Sequence, residues 1–391
     1  MHVHELVETA ASDAPPPRYT VDDIVTAGRT VQRRRRTGWT VASAALAVTG
    51  VVVASSIGLP GTAVRPPAGQ LPAAATSLAA TASPLTPAPD WEFPDDPFTY
   101  VFQRFDAGKL HVQDPIVASR AYQIAALHID GLVTHDRAVD SATAPQPSEG
   151  EGSLYAYLTV YRPGAFDPQK FGGSRVTVEG HQAIERDGPS YGQNLRRALA
   201  WEYTDDAWAV AETLAKPSDV GFADLRGLVG GLRPSAPTPA RVPFNVGYVP
   251  AGYRAAEIGQ HAFAGLNGIA GAGDGNYGGA IFAAPALPTS GLTEPYGGPE
   301  GEDPPGSFQI LVLPNDRSNH ALKDGEQPPA EPKCGNGFCT AWTADGRTTI
   351  QVDSDGRLPE TEMIKILKGI ELADVTNDRT WPPANTALRA G

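Results

Sequence analysis

Two stretches of this chain carry the same succession of signals, and that duplication restricts the fold more than any single motif. The stretches are Phe98–Arg233 and Phe244–Asp374. They open on Phe98-Thr-Tyr-Val-Phe and Phe244-Asn-Val-Gly-Tyr, each followed by turn residues, Asp106-Ala-Gly108 and Pro250-Ala-Gly252. Next come sheet-like runs entered through Gly-Ser, one from Gly152 to Val160 and one from Gly306 to Leu313. Trp201–Val210 and Trp342–Ile350 each read as strand, turn, strand. A helix closes each copy, Asp219–Gly230 and Pro359–Gly369, with Leu225, Leu228 and Ile364, Leu367 at matching steps. Gly230 and Gly369 stand where helices end on glycine. The expected fold class is α+β, with one N-terminal transmembrane helix and then two repeated modules of antiparallel sheet plus C-terminal helix. The modules span residues 96–235 and 243–375, with a disordered tail at 376–391. The Gly-rich stretch Gly259–Gly279 and the Pro-rich stretch Pro285–Pro305 read as loops of the second copy.

Ahead of the modules, Arg33, Arg34, Arg35 and Arg36 are followed by residues 37–64 without one charged side chain. Trp39–Leu59 is 21 residues, about the length that crosses a bilayer as a helix, so residues 38–59 are expected to span the membrane. Basic residues before an apolar span hold that end in the cytoplasm. The rival is a cleaved signal peptide, which Val53-Ala-Ser-Ser56 would suit. A 37-residue preceding region is long for one. Within residues 1–37, Thr20 is an N-cap signal for a helix reaching Arg36. Val21, Ile24, Val25 and Val31 share its apolar face. That face either lies on anionic lipid or docks into a partner. Residues 60–95 form a linker: of Pro60–Asp90, 22 of 31 residues are Pro, Ala, Ser or Thr, which favours an extended stalk over a core.

Charge divides along the same line. Residues 1–37 carry +1 of the net −13, leaving −14 beyond the span. An acidic outer region argues against nucleic acid or anionic lipid as its main partner. The only cysteines, Cys334 and Cys339, flank Asn336-Gly337, a tight-turn dipeptide. A hairpin disulfide is expected, stabilising by roughly 2 kcal/mol. Free thiols are the alternative, and zinc would need two further ligands.

Little points to catalysis. Histidines 111, 128, 135, 181, 261 and 320 are scattered, and Gly-x-Ser-x-Gly is absent. Asp353-Ser-Asp355-Gly356 has the start of a calcium loop without its later ligands, and reads better as a polar turn. Gly271-Ala-Gly273-Asp-Gly275 lacks the Lys-Ser/Thr ending of a phosphate loop. Tyr155, Tyr157 and Tyr161 alternate on one strand face, either packed or open as a binding platform. Trp201 and Trp208 read as core. No cofactor, metal or enzymatic activity is expected.

The tail Pro-Pro-Pro17-Arg18-Tyr-Thr-Val-Asp-Asp-Ile-Val25, the arginine run, the span, the motif Gly247-Tyr248-Val-Pro250-Ala-Gly252-Tyr253 and the Trp-strand pair before a helix together support a resemblance. The chain resembles the single-pass proteins of actinobacteria that accompany extracytoplasmic-function sigma factors, the anti-sigma-like regulators. The resemblance implies a membrane-anchored regulator with a sigma factor as cytoplasmic partner. The chain departs from that pattern in having one tail helix and no cysteine there. The expected role is non-enzymatic sensing or binding outside the cytoplasm, with an unknown ligand. The alternative is an envelope structural or ligand-binding module whose tail is only an anchor.

Overall fold

A computed structural model describes residues 90–129, 154–188, 197–213, 221–270, 276–298, 303–323 and 325–388. Residues 88–391 cluster as one compact unit. The strands of its first part are β1 (Thr99–Tyr100), β2 (Phe105–Ala107), β3 (Leu110–Val112), β4 (Val117–Ser119) and β5 (Tyr122–Ile129). They continue with β6 (Leu154–Tyr161), β7 (Ser174–Val178), β8 (His181–Asp187), β9 (Arg197–Thr204), β10 (Ala207–Thr213) and β11 (Thr238–Pro239). The second part holds β12 (Phe244–Val246), β13 (Arg254–Gln260), β14 (Gly278–Ala283), β15 (Ser307–Pro314) and β16 (Lys333–Gly335). It ends with β17 (Phe338–Trp342), β18 (Thr348–Asp353) and β19 (Ile370–Leu372). Between them lie helices α1 (Pro168–Phe171), α2 (Phe222–Gly231), α3 (Leu266–Ala270), α4 (Glu360–Lys368) and α5 (Ala384–Ala387).

Fifteen of these strands form one sheet with the main order β16-β17-β18-β15-β14-β13-β4-β5-β6-β10-β9-β8-β7. Read outward from its middle, β13-β14-β15-β18-β17-β16 repeats the order of β4-β5-β6-β10-β9-β8. The halves meet where β13 pairs antiparallel with β4, through Glu257↔Ser119, Ile258↔Ala118 and Gly259↔Val117. Each half also closes with a short ladder of its own, β1 on β11 and β12 on β19.

This corrects the expected α+β fold with separately sheeted modules. The described residues are mostly β, about 40% strand and 15% helix, and the sheet is continuous. The reason is in the edges: two half-sheets with unpaired backbone on their first strands satisfy those groups by pairing them. Among the described residues no helix is long and apolar enough to cross a membrane. Residues 38–59, expected to span it, lie outside the described residues. So do the tail 1–37, with Val21, Ile24, Val25, Val31 and Arg33–Arg36, and most of the 60–95 linker.

Register assigns the two faces. Ala118 pairs with Gln123, Gln123 with Val160, and Val160 with Ala209, so these four side chains share one face. Both longer helices pack on it: Leu225, Leu228 and Val229 of α2 against Trp201 and Leu158, and Met363, Ile366 and Leu367 of α4 against Ile350 and Val352. The opposite face of the first half is covered as well. Tyr157 and Tyr161 pack there with Phe166, Phe171 and Trp208, so the tyrosine face is core and not an open platform. Part of the cover comes from the Gly- and Pro-rich loops of the second copy, which contribute Leu266 and Ile269 of α3 and Tyr296. Tyr296 lies 5.1 Å from Tyr122 between ring centroids. With both faces covered, β5 is buried at seven of its eight positions, explaining why its sequence runs apolar with little alternation.

Two further expectations are corrected. Gly230 does not end α2, which runs on through Gly231 to Leu232 as its C-cap. A side chain at Gly231 would strike the Phe105 ring at 2.4 Å, so close packing selects glycine there. The 376–391 tail, expected to be disordered, is built into the core as far as it is described. Trp381 is fully buried and its Nε1 donates to the Asp374 carbonyl at 2.9 Å, while Ala384, Ala387 and Leu388 pack beside it.

Candidate functional site

The Gly247–Tyr253 motif builds one wall of a groove between elements. Gly247 donates its N–H to the Gly369 carbonyl at 2.7 Å, an approach that leaves 2.9 Å between that oxygen and any added Cβ. The start of the motif is thereby fixed to the end of α4. Tyr248 reinforces this by donating to Glu362 Oε2 at 2.6 Å, and Lys365 holds the other oxygen at 2.6 Å. The carboxylate acceptor raises the Tyr248 hydroxyl above its usual range. Pro250-Ala-Gly252-Tyr253 then turns the chain, with Gly252 at φ +87° and the Tyr253 N–H on the Pro250 carbonyl. Tyr253 comes to rest 5.1 Å from Phe308, which stacks in turn on Phe282.

The groove in front of this wall has a volume of about 670 Å3. Its apolar floor includes Phe98, Val249, Tyr253, Phe282 and Leu388, and its charged rim is Asp95, Asp96, Arg120 and Arg254. The site therefore draws on both sequence copies and on the C-terminal segment. Arg120, in the β4–β5 turn, donates Nε to the Ala255 carbonyl at 3.1 Å and its N–H to the Ala256 carbonyl. Arg162 lies behind the acidic rim, donating to the carbonyls of Pro94 and Asp96 at 2.8 Å each.

Three residues beyond Arg254, Glu257 lies on the sheet face opposite that of Ala255 and Phe282, at the ladder that joins the halves. It is wholly buried, and neither carboxylate oxygen has a hydrogen-bond partner among the described residues. Burial pushes its carboxyl up to about 8, and the Tyr122 hydroxyl opposes that rise without meeting hydrogen-bond geometry. The register slips between Ala255 and Glu257, a bulge that turns Glu257 from the face of Ala255 to that of Ile281.

The sequence candidates fall elsewhere. Cys334 and Cys339 face each other in register across the β16–β17 hairpin with Cα atoms 4.1 Å apart, and they form a disulfide. Asn336 and Gly337 make the turn at φ +52° and +85°. Asp353–Gly356 is a strand-to-helix turn in which Ser354 Oγ accepts the Leu358 N–H. Of the described histidines, His111 and His128 sit opposite each other in the β3–β5 ladder, with His111 also meeting Asp106, whereas His181 meets the Glu202 carbonyl, His261 packs on Trp381 and His320 on Phe338. Among the described residues no three His, Cys, Asp or Glu side chains gather as a metal site. Gly271–Gly275 and His135 lie outside the described residues. Apart from the Gly-Tyr-Val-Pro-Ala-Gly-Tyr motif, the groove leaves no mark in the sequence, because its lining comes from five separate segments. No family model, curated protein or solved structure matches this chain.

Proposed function

We propose that this protein is a non-catalytic binding or sensing protein of the cell envelope whose ligand occupies the groove framed by Gly247–Tyr253. The observation that carries the reading is the groove's construction. Half-buried Val249 and Tyr253 cover the buried Phe98, Phe282 and Leu388, the wall is anchored to α4, and the rim holds charges of both signs. A cavity of about 670 Å3 is in the range of small-molecule sites. Attachment to the membrane through residues 33–59, N-terminus inside, is supported by the arginine run and the uncharged stretch after it. The Cys334–Cys339 disulfide suits an oxidising compartment.

The test uses anilinonaphthalene sulfonate as an apolar fluorescent probe on the full-length protein. Tyr253→Ala and Val249→Asp alter the floor at half-buried positions. The reading expects wild type to bind the probe saturably and both variants to lose most of that signal while their thermal unfolding stays cooperative. Equal binding by all three proteins would place the probe elsewhere and overturn the reading.

For the output, we propose that residues 1–37 contact a sigma factor, a reading supported by the tail pattern Pro15–Val25 and its resemblance to anti-sigma-like regulators. Co-purification of residues 1–37 with a sigma factor encoded nearby tests it. Full function after replacing the tail by an unrelated basic anchor would favour the anchor-only alternative.

A further inference from the structure

We infer that the groove is built for an apolar monoanion of the carboxylate class, its head held by Arg120 and Arg254 and its body lying over Tyr253, Val249 and Phe98. The inference rests on the groove being the ligand site and adds the chemistry of the ligand.

The carrying observation is an imbalance of pairing at the rim. Arg254 is exposed, and among the described residues its guanidinium has no hydrogen bond or ion pair. Arg120 uses only Nε, on the Ala255 carbonyl, so its two terminal nitrogens are likewise without a protein acceptor. The Arg120 bond ends on the residue next to Arg254, so the two cations are seated at one end of the groove, where β4 meets β13. A planar guanidinium presents parallel N–H donors that match the two oxygens of a carboxylate, and two such groups form a fork around one head.

The acids at the other side of the rim are differently placed. Asp96 Oδ1 accepts the Phe98 N–H at 3.0 Å. Arg162, fixed behind Asp95 and Asp96 by two carbonyls, carries the charge that answers theirs. The groove's own lining carries two arginines and two aspartates, and with Arg162 answering the aspartates from behind, Arg120 and Arg254 are the charges left facing a ligand. An anionic head between those two guanidiniums supplies the acceptors they lack. The floor excludes a small inorganic anion as the intended occupant. Phe98, Val249, Phe282 and Leu388 offer it nothing, whereas an aromatic or alkyl body buries surface against them.

Three probes of one shape and different charge test this by isothermal titration of the full-length protein: phenylbutyrate, phenylbutanol and phenylbutylamine. Phenylbutyrate is expected to bind about tenfold tighter than phenylbutanol, the scale of one charge-assisted contact. That preference should shrink to about twofold in Arg254→Gln and vanish in the Arg120→Gln/Arg254→Gln double variant, whereas Tyr253→Ala weakens all three probes alike. Arg254 is exposed, so its single variant keeps the test valid if the double variant fails to fold. Phenylbutylamine or phenylbutanol binding as tightly as phenylbutyrate would overturn the inference and leave the binding reading intact. Failure of all three to bind would overturn both.

Discussion

Glu257 makes the stability of this fold depend on pH in a direction opposite to that of an ordinary paired carboxylate. Its carboxyl ionises near 4.5 in an unfolded chain and near 8 when folded. Between those values the unfolded state has released the proton and the folded state still holds it. Stability is therefore highest below about 4.5, falls as pH rises, and levels off above about 8. The groups that face the carboxyl do not compensate. Tyr122 and Tyr296 are neutral phenols whose own ionisation is suppressed by burial and by Glu257 itself, and Ser119 opposite is uncharged. Arg120 is the nearest cation whose influence reaches this cluster, through Tyr296, and it is turned to the groove. A rise from 4.5 to about 8 corresponds to roughly 5 kcal/mol at about 1.4 kcal/mol per unit. For a unit of about 300 residues that is on the order of 8 °C in melting temperature. The assay is thermal unfolding of wild type and Glu257→Gln at pH 5, 7 and 9. The amide copies the shape of the neutral acid and cannot ionise. The two proteins should melt within about 2 °C of each other at pH 5, and the variant should be several degrees more stable at pH 9. Parallel pH profiles, or a variant less stable than wild type at pH 9, would refute the reasoning that Glu257 is buried uncompensated.

Two further outcomes follow from the same structure. Replacing Cys334 and Cys339 by serine, or reducing the disulfide, should lower stability by about 2 kcal/mol in denaturant titrations, since the bridge closes only a short hairpin; a loss near zero would mean that the register Cys334↔Cys339 holds equally without it. Trp381→Ala should cost about 3–5 kcal/mol and open the chain after residue 374 to limited proteolysis, because the indole is fully buried and anchors the terminal segment on Asp374; unchanged protease resistance would count against that anchoring.

Local patterns carried a good deal of this structure, and pairings between distant segments carried the rest. Asn336-Gly337 between two short strands is a turn signal that acts within six residues, and it brings Cys334 opposite Cys339 without help from elsewhere. Leu225 and Leu228 of α2, and Met363, Ile366 and Leu367 of α4, recur at helical steps because each helix lies on one sheet face. The joining of β4 to β13 has no such local mark. Val117-Ala-Ser119 is three residues long, and nothing in it names a partner some 140 positions away. Edge strands pair with whatever compatible edge the rest of the fold delivers, so continuity of the sheet becomes visible only once both halves are built. Glu257 was hidden for a related reason. In Arg254-Ala-Ala-Glu-Ile-Gly-Gln260 a regular two-residue period would send Glu257 to the face of Ala255, but the bulge resets the period. The reset puts Glu257 on the face of Ile281 and Ala283, where it is sealed at the ladder, while Arg254, exposed at the start of the strand, borders the groove. The same strand thus presents a cation to the groove and carries the acid whose ionisation is expected to loosen the joint. A ligand that tightens β13 against β4 should be bound less well as pH passes 8, and Glu257→Gln should remove that decline.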